Sequence, residues 1–255
     1  MRPIDYFDRG AAKSPDRIFV SGNGNEFTYA AAKASTEAIA QGLFAAGFSV
    51  GDSVAVYSPN DPGAVVCIFA AYRAGGGWVP VNVRNAASTN SEYMAYVKTK
   101  WLFFHSSVLA QIEEVVPNLP DLKGIVCFDS DKTPYPSLAS FCAAGAATEI
   151  PDWSDPFGAP DVVFSRWPTG GTTGPSKGVE MSNRSICAML ELGLQHYVGD
   201  DVDEIVHLAV APITHAAGVM AVVYGAAGGT NIIHEAFDAK AVMESIQADR
   251  VTNIF

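Results

Sequence analysis

Residues Thr169 to Lys177 read Thr-Gly-Gly-Thr-Thr-Gly-Pro-Ser-Lys, followed by Gly178 and Val179. Glycines at 170, 171 and 174, hydroxyls at 169, 172, 173 and 176, and one cation at 177 fall within nine residues. Glycine has no Cβ, so this backbone can turn tightly and present successive N–H groups to one concavity where an anion fits. Hydroxyls rotate to donate to phosphate oxygens, and an ammonium adds a compact point charge. The chemistry that these residue types supply is that of a polyphosphate cradle.

A Walker A loop requires glycine directly before the lysine. Here Ser176 precedes Lys177 and Gly178 follows it, so the spacing argues against a conventional P-loop NTPase. The plain alternative is a flexible Gly/Thr linker. A linker needs no lysine at a fixed place, however, and has no reason to follow the strand-like residues Val162, Val163 and Phe164.

The rest of the composition narrows the partners. With 49% apolar and 17% charged residues, 255 residues are ample for a well-packed core. A net charge of −11 speaks against nucleic acid, which needs a basic face, and means that an anionic ligand must be met by a local positive site. Cys67, Cys127, Cys142 and Cys187 are scattered, with no C-x-x-C and no histidine pair at metal-ligand spacing. They read as small apolar side chains in a reducing compartment. Met1 to Asp8 lacks the apolar run of a signal peptide, and the longest apolar stretch, Ala64 to Tyr72, is too short to span a bilayer. A cytoplasmic location with no transmembrane segment is the expectation.

The elements that must position the loop follow from periodicity and punctuation. Ile4 to Lys13 reads as a helix, and Arg17 to Ser21 and Glu26 to Tyr29 as strands joined at Asn23-Gly24. Thr28 is placed to cap a helix over Tyr29 to Ala46, which Gly47 closes. Strands over Ser53 to Tyr57, Gly77 to Val81, Trp101 to Phe104 and Gly124 to Phe128 then alternate with helices over Asp61 to Ala74, Ser88 to Lys98 and Val108 to Val116. This β-α-β rhythm predicts an α/β fold with largely parallel sheets covered by helices. Pro134 to Pro160 reads as a connector with one short helix near Ser137 to Ala144, and Asp161 to Ser165 as the strand that delivers the loop. Ser182 caps a helix running to His196. Strands follow at Ile205 to Val210, Gly228 to His234 and Arg250 to Phe255, with a helix over Ala239 to Ala248.

The stretch Thr169-Gly-Gly-Thr-Thr-Gly-Pro-Ser-Lys177-Gly-Val resembles the signature loop of the adenylate-forming (AMP-binding) superfamily, which includes acyl-CoA synthetases, firefly luciferase and nonribosomal peptide adenylation domains. Weaker phrases fall in the family's order: Gly51-Asp52 before an apolar strand, Ser58-Pro59-Asn60, and an alanine-rich helix leading to Trp78-Val-Pro-Val-Asn82. Ala211-Pro-Ile-Thr-His-Ala-Ala-Gly218 resembles its second landmark, beside the acyl-substrate pocket.

The resemblance implies an acid–thiol ligase of the acyl-CoA synthetase type acting on a fatty acid or another small-molecule carboxylic acid, with ATP, Mg2+ and coenzyme A. Thr169, Gly170, Gly171, Thr172, Thr173, Gly174 and Lys177 would hold the nucleotide, Lys177 and Thr172 would act on the leaving pyrophosphate, and His215 would face the carboxylate. A lone histidine beside alanine and glycine reads equally well as a satisfied core residue. The chain departs from the family at Asn183, where a histidine is common.

Family members run to about twice this length. On that ground residues 1–160 and 161–255 read as two α/β portions of an N-terminal domain, the second opening with the phosphate loop and incomplete at its C-terminal end. The small C-terminal domain and the metal-binding acidic residue would then be absent, and a homo-oligomer built on an exposed face is an open possibility. Two other classes stand beside the ligase: a non-catalytic nucleotide- or acyl-binding module, and an interaction module with a vestigial loop.

Overall fold

The computed structural model describes residues 1–151, 162–169, 176–197 and 205–255. The chain runs through α1 (Pro3–Lys13), β1 (Ile18–Gly22), β2 (Asn25–Thr28), α2 (Tyr29–Ala45), β3 (Ser53–Tyr57), α3 (Pro62–Ala74) and β4 (Gly77–Val81). It continues with α4 (Ala87–Tyr96), β5 (Trp101–Phe104), α5 (Leu109–Val115), β6 (Gly124–Cys127) and α6 (Leu138–Gly145). The last part comprises β7 (Val163–Pro168), β8 (Gly178–Ser182), α7 (Asn183–Tyr197), β9 (Val206–Ala209), α8 (Ala216–Ala226), β10 (Thr230–Ile233), α9 (Ala239–Ala248) and β11 (Asn253–Ile254).

Local signals account for most boundaries. Asn23 and Gly24 both take positive φ, 52° and 78°, as a tight two-residue hairpin turn demands. The Ala31 N–H donates to Thr28 Oγ1 at 3.1 Å at the start of α2. Asp61 caps α3 by accepting from the Gly63 N–H at 2.7 Å, Pro62 opens the helix, and Gly75 at φ 78° ends it.

The strands form two sheets, ordered β11-β9-β10-β1-β2 and β6-β5-β3-β4-β7-β8. Every pairing is parallel except the hairpins β1–β2 and β7–β8. Each sheet therefore draws strands from both sides of residue 160. β3, β4 and β5 are buried along their whole lengths, as parallel strands covered on both faces must be.

Alternate residues of β3 point to two separate cores. Val54 and Val56 join the larger one, while Ala55 and Tyr57 pack with Tyr93, Met94, Ile112 and Val115 beneath α4 and α5. Between the sheets lies α3, buried at every residue except Gly63 and touching β1 and β2 of one sheet and β3, β4 and β5 of the other. Phe7, Phe19, Tyr29 and Phe69 close this layer with ring centroids about 5 Å apart. No helix among the described residues is long and apolar enough to cross a membrane.

Two stretches carry elements that the sequence reading does not assign: Gly178–Ser182 is a strand, and Ala216–Ala226 is a helix. The α8 sequence, Ala-Ala-Gly-Val-Met-Ala-Val-Val-Tyr-Gly-Ala, is apolar on every side and rich in glycine and β-branched residues. Its periodicity is therefore silent and its intrinsic propensity low, so packing between neighbouring elements makes the helix.

Candidate functional site

The loop of interest joins β7 to β8. Their antiparallel register runs from Val163 opposite Ser182 to Pro168 opposite Gly178. One step further, the Thr169 N–H donates to the Lys177 carbonyl at 2.8 Å, and the Lys177 N–H donates to Thr169 Oγ1 at 3.1 Å. The mouth of the loop is thus closed by a pair of bonds between its first and last residues. Thr169 is half-buried and Lys177 exposed. Gly170, Gly171, Thr172, Thr173 and Gly174 lie outside the described residues.

The hairpin is fixed to the sheet on two sides. β7 lies parallel to β4 with Ser165 opposite Trp78, and Ser165 Oγ donates to the Trp78 carbonyl at 3.1 Å. Two residues before Thr169, the Trp167 ring meets the Trp78 ring edge-on, with centroids 5.2 Å apart. From the α4 side, Tyr93 OH donates to the Arg166 carbonyl at 2.8 Å. A Cβ at Gly178 would come within 2.9 Å of Val97 Cγ1, so the glycine lets α4 lie this close. Because β3, β4 and β7 are parallel, the Thr169–Lys177 loop leaves from the carboxyl end of the strands, the end at which open α/β sheets bind ligands.

His215 stands at the end of the turn that follows β9, exposed, and directly before α8. Its N–H donates to the Pro212 carbonyl at 3.0 Å, and its own carbonyl accepts from Gly218 at 3.0 Å. A Cβ at Gly218 would fall 1.8 Å from the Ile213 carbonyl oxygen and 3.2 Å from Trp78 Cη2. The Trp78 ring therefore lies against both connections: the hairpin through Trp167 and the start of α8 through Gly218. Of the residues expected at the site, the structure places Thr169, Lys177 and His215 on connections tied to this one side chain.

Asn60, in the connection after β3, is the functional candidate that residue-by-residue reading did not single out. It is buried, and it bonds to Ala211, Ile213 and His234 on the connections after β9 and β10. Its only signal in the sequence is its place in Ser58-Pro59-Asn60. Asn183, where a histidine was expected by resemblance, is also buried and donates through Nδ2 to the Met1 carbonyl at 3.1 Å. Ser182 Oγ accepts from the Ser185 N–H at 3.2 Å, as an N-cap does.

Away from the loop, the fold shifts the titration of Asp52 and His207. Burial alone would raise the Asp52 carboxyl, but hydrogen bonds from Lys100 and Lys123, at 2.6 and 3.0 Å, together with the Ser49 N–H, hold it below the usual carboxylate range. His207, wholly buried on β9, has Nδ1 at 2.9 Å from Asn231 Oδ1, and burial pushes its imidazole down to about 4. It is neutral near pH 7. Among the described residues, no group of three or more His, Cys, Asp or Glu stands together to hold a metal ion.

Comparison with known proteins adds to this geometry. A family model described as AMP-binding enzyme matches residues 7–255. Indoleacetate–CoA ligase of Aromatoleum aromaticum is 27% identical over 256 residues, covering 99% of this chain and 49% of that protein. Feruloyl-CoA synthase of Amycolatopsis is 30% identical over 250 residues, covering 97% and 47% respectively. The chain thus spans about half the length of the curated relatives it matches. Among solved structures, the anthranilate CoA ligase AuaEII in complex with anthranoyl-AMP shares the fold, with a TM-score of 0.86 at 17% identity over 100% of this chain and 49% of that one.

Proposed function

The chain belongs to the AMP-binding enzyme family, and on that premise we propose that it carries the nucleotide-handling part of an acid–CoA ligase. The carboxylate of a small organic acid attacks the α-phosphorus of ATP. A new P–O bond forms to the acid, the bond to the bridging oxygen breaks, and pyrophosphate leaves with the electron pair. The thiol of coenzyme A then attacks the acyl carbon, its proton passes to solvent, and AMP leaves.

The observation that carries this reading is the closed hairpin loop at the carboxyl edge of the sheet, with Lys177 exposed at its end. Negative charge builds on the β- and γ-phosphates as pyrophosphate departs. Preorganised amides, hydroxyls and one ammonium are what stabilise such charge. In this reading the loop amides from 170 to 174, Thr169, Thr172, Thr173 and Lys177 hold the polyphosphate, and Thr172 and Lys177 face the developing charge. His215 faces the acid from the start of α8. Magnesium would arrive with the nucleotide and screen its phosphates.

The relatives' names support a carboxylic acid as substrate and extend the choice beyond fatty acids, to indoleacetate and ferulate. ATP–pyrophosphate exchange with indole-3-acetate, ferulate and a fatty acid tests the reading. Acid-dependent exchange by the full-length protein is expected, and its absence with all three acids contradicts it. Saturable ATP binding without exchange would point instead to a non-catalytic nucleotide-binding module.

A further inference from the structure

We propose that Asn60 is a positioning residue for acid activation, holding the turn that carries His215 in register with the sheet that carries the phosphate loop. This rests on the acid–CoA ligase reading above. Asn60 follows β3 of the six-stranded sheet, yet all three bonds of its side chain go to the other sheet's connections. Nδ2 donates to the carbonyls of Ala211 and His234, both at 2.9 Å, and Oδ1 accepts from the Ile213 N–H at 2.8 Å. Its carbonyl accepts from Asn23 Nδ2, in the β1–β2 turn, at 2.9 Å.

The partners fix which way the amide faces, since two carbonyls can only accept and a backbone N–H can only donate. Two donors and an acceptor on one short planar head are what this junction needs, and a carboxylate or hydroxyl cannot supply them. Ala211 and Ile213 are thereby pinned on either side of Pro212, whose carbonyl takes the His215 N–H. Asn60 and the Trp78 ring, against Gly218, hold the same turn from its two ends. The placement of His215 relative to the Thr169–Lys177 mouth therefore depends on a side chain whose own bonds go to Ala211, Ile213 and His234.

Asn60→Asp removes both donors and sets a carboxylate against two carbonyls, while Asn60→Ala leaves all three partners unpaired. In exchange assays on the full-length protein, both variants are expected to raise KM for the acid at least tenfold while KM for ATP changes less than twofold. Lowering the pH is expected to recover part of the loss in Asn60→Asp, because a protonated carboxyl regains one donor, and none in Asn60→Ala. The titratable groups on the neighbouring connections are Asp61, which caps α3, His215 itself, His234, whose Nε2 lies 3.0 Å from Ser245 Oγ, Glu235, and Asp238, which caps α9. All of them are present in each variant, so the difference between the variants isolates position 60.

A purely structural role would instead lower the active fraction, reducing kcat with neither KM split nor selective acid rescue, and that result overturns the assignment. Exchange unchanged in both variants overturns it as well. No exchange in the parent with any acid overturns the ligase reading itself and the role of Asn60 with it.

Discussion

Thr169 and Lys177 hold each other by two bonds, the Thr169 N–H to the Lys177 carbonyl at 2.8 Å and the Lys177 N–H to Thr169 Oγ1 at 3.1 Å. Thr169 Oγ1 accepts in this pair, so its own proton remains free to donate to a ligand. The same hydroxyl can then close the loop and address a phosphate. Thr169→Val keeps the backbone bond and the shape but loses the acceptor. Removing one such bond costs about 1 kcal/mol, so KM for ATP is expected to rise about fivefold in exchange assays. Thr169→Ser should stay near the parent, and equal values for Val and Ser would remove the hydroxyl from the account.

At the other connection the sensitive position is a glycine. Gly218→Ala places a methyl 1.8 Å from the Ile213 carbonyl oxygen, with the Trp78 ring behind it. Overpacking of this kind costs about 1 to 3 kcal/mol, and a drop in melting temperature is expected. Gly24→Ala is the control. Nothing lies within 4 Å of its Cβ, so only the cost of its positive φ of 78° applies. A Gly218→Ala protein as stable as the Gly24→Ala protein would show that the turn before α8 is not tightly packed.

Much of this was legible in the sequence because local signals and burial agreed. Asp61-Pro62 and Gly75 bracket α3, Asn23-Gly24 makes its hairpin, and the buried strands of the parallel sheet read as apolar runs. The strand that leads into the Thr169–Lys177 connection was legible from the apolar residues Val162, Val163 and Phe164. β8 was hidden because it is a sheet-edge strand whose Val179 and Glu180 are both exposed, which leaves no alternation to detect. α8 was hidden because a helix apolar all round has no face. Asn60 showed in the sequence only as the last residue of Ser58-Pro59-Asn60. Its partners lie 151 to 174 residues away, and only the folded chain shows that one amide joins the two sheets.

His207 gives the fold a pH dependence of known sign. Burial lowers its pKa from the ordinary 6.5 to about 4, so between those values the unfolded chain binds a proton that the folded chain refuses. Stability contributed by the neutral ring is present above pH 6.5 and is lost as pH falls toward 4, by roughly 3 kcal/mol at most. Asp52, whose carboxyl is held low by Lys100 and Lys123, loses stability in the same direction at lower pH. Chemical denaturation of the parent and of His207→Gln between pH 4 and pH 7 separates them. The variant is expected to show a flatter slope, and parallel curves would mean that His207 is protonated without penalty.

The proposed ligase chemistry stands on the Thr169–Lys177 hairpin as a polyphosphate site. The most direct test is calorimetric titration of ATP into the 255-residue chain and into its Lys177→Ala variant. Lys177 is exposed, so the variant is expected to keep the parent's stability to within about 0.5 kcal/mol. Saturable binding by the parent, weakened at least tenfold in the variant, is the predicted result. Equal affinity in both would place the nucleotide elsewhere and contradict the account.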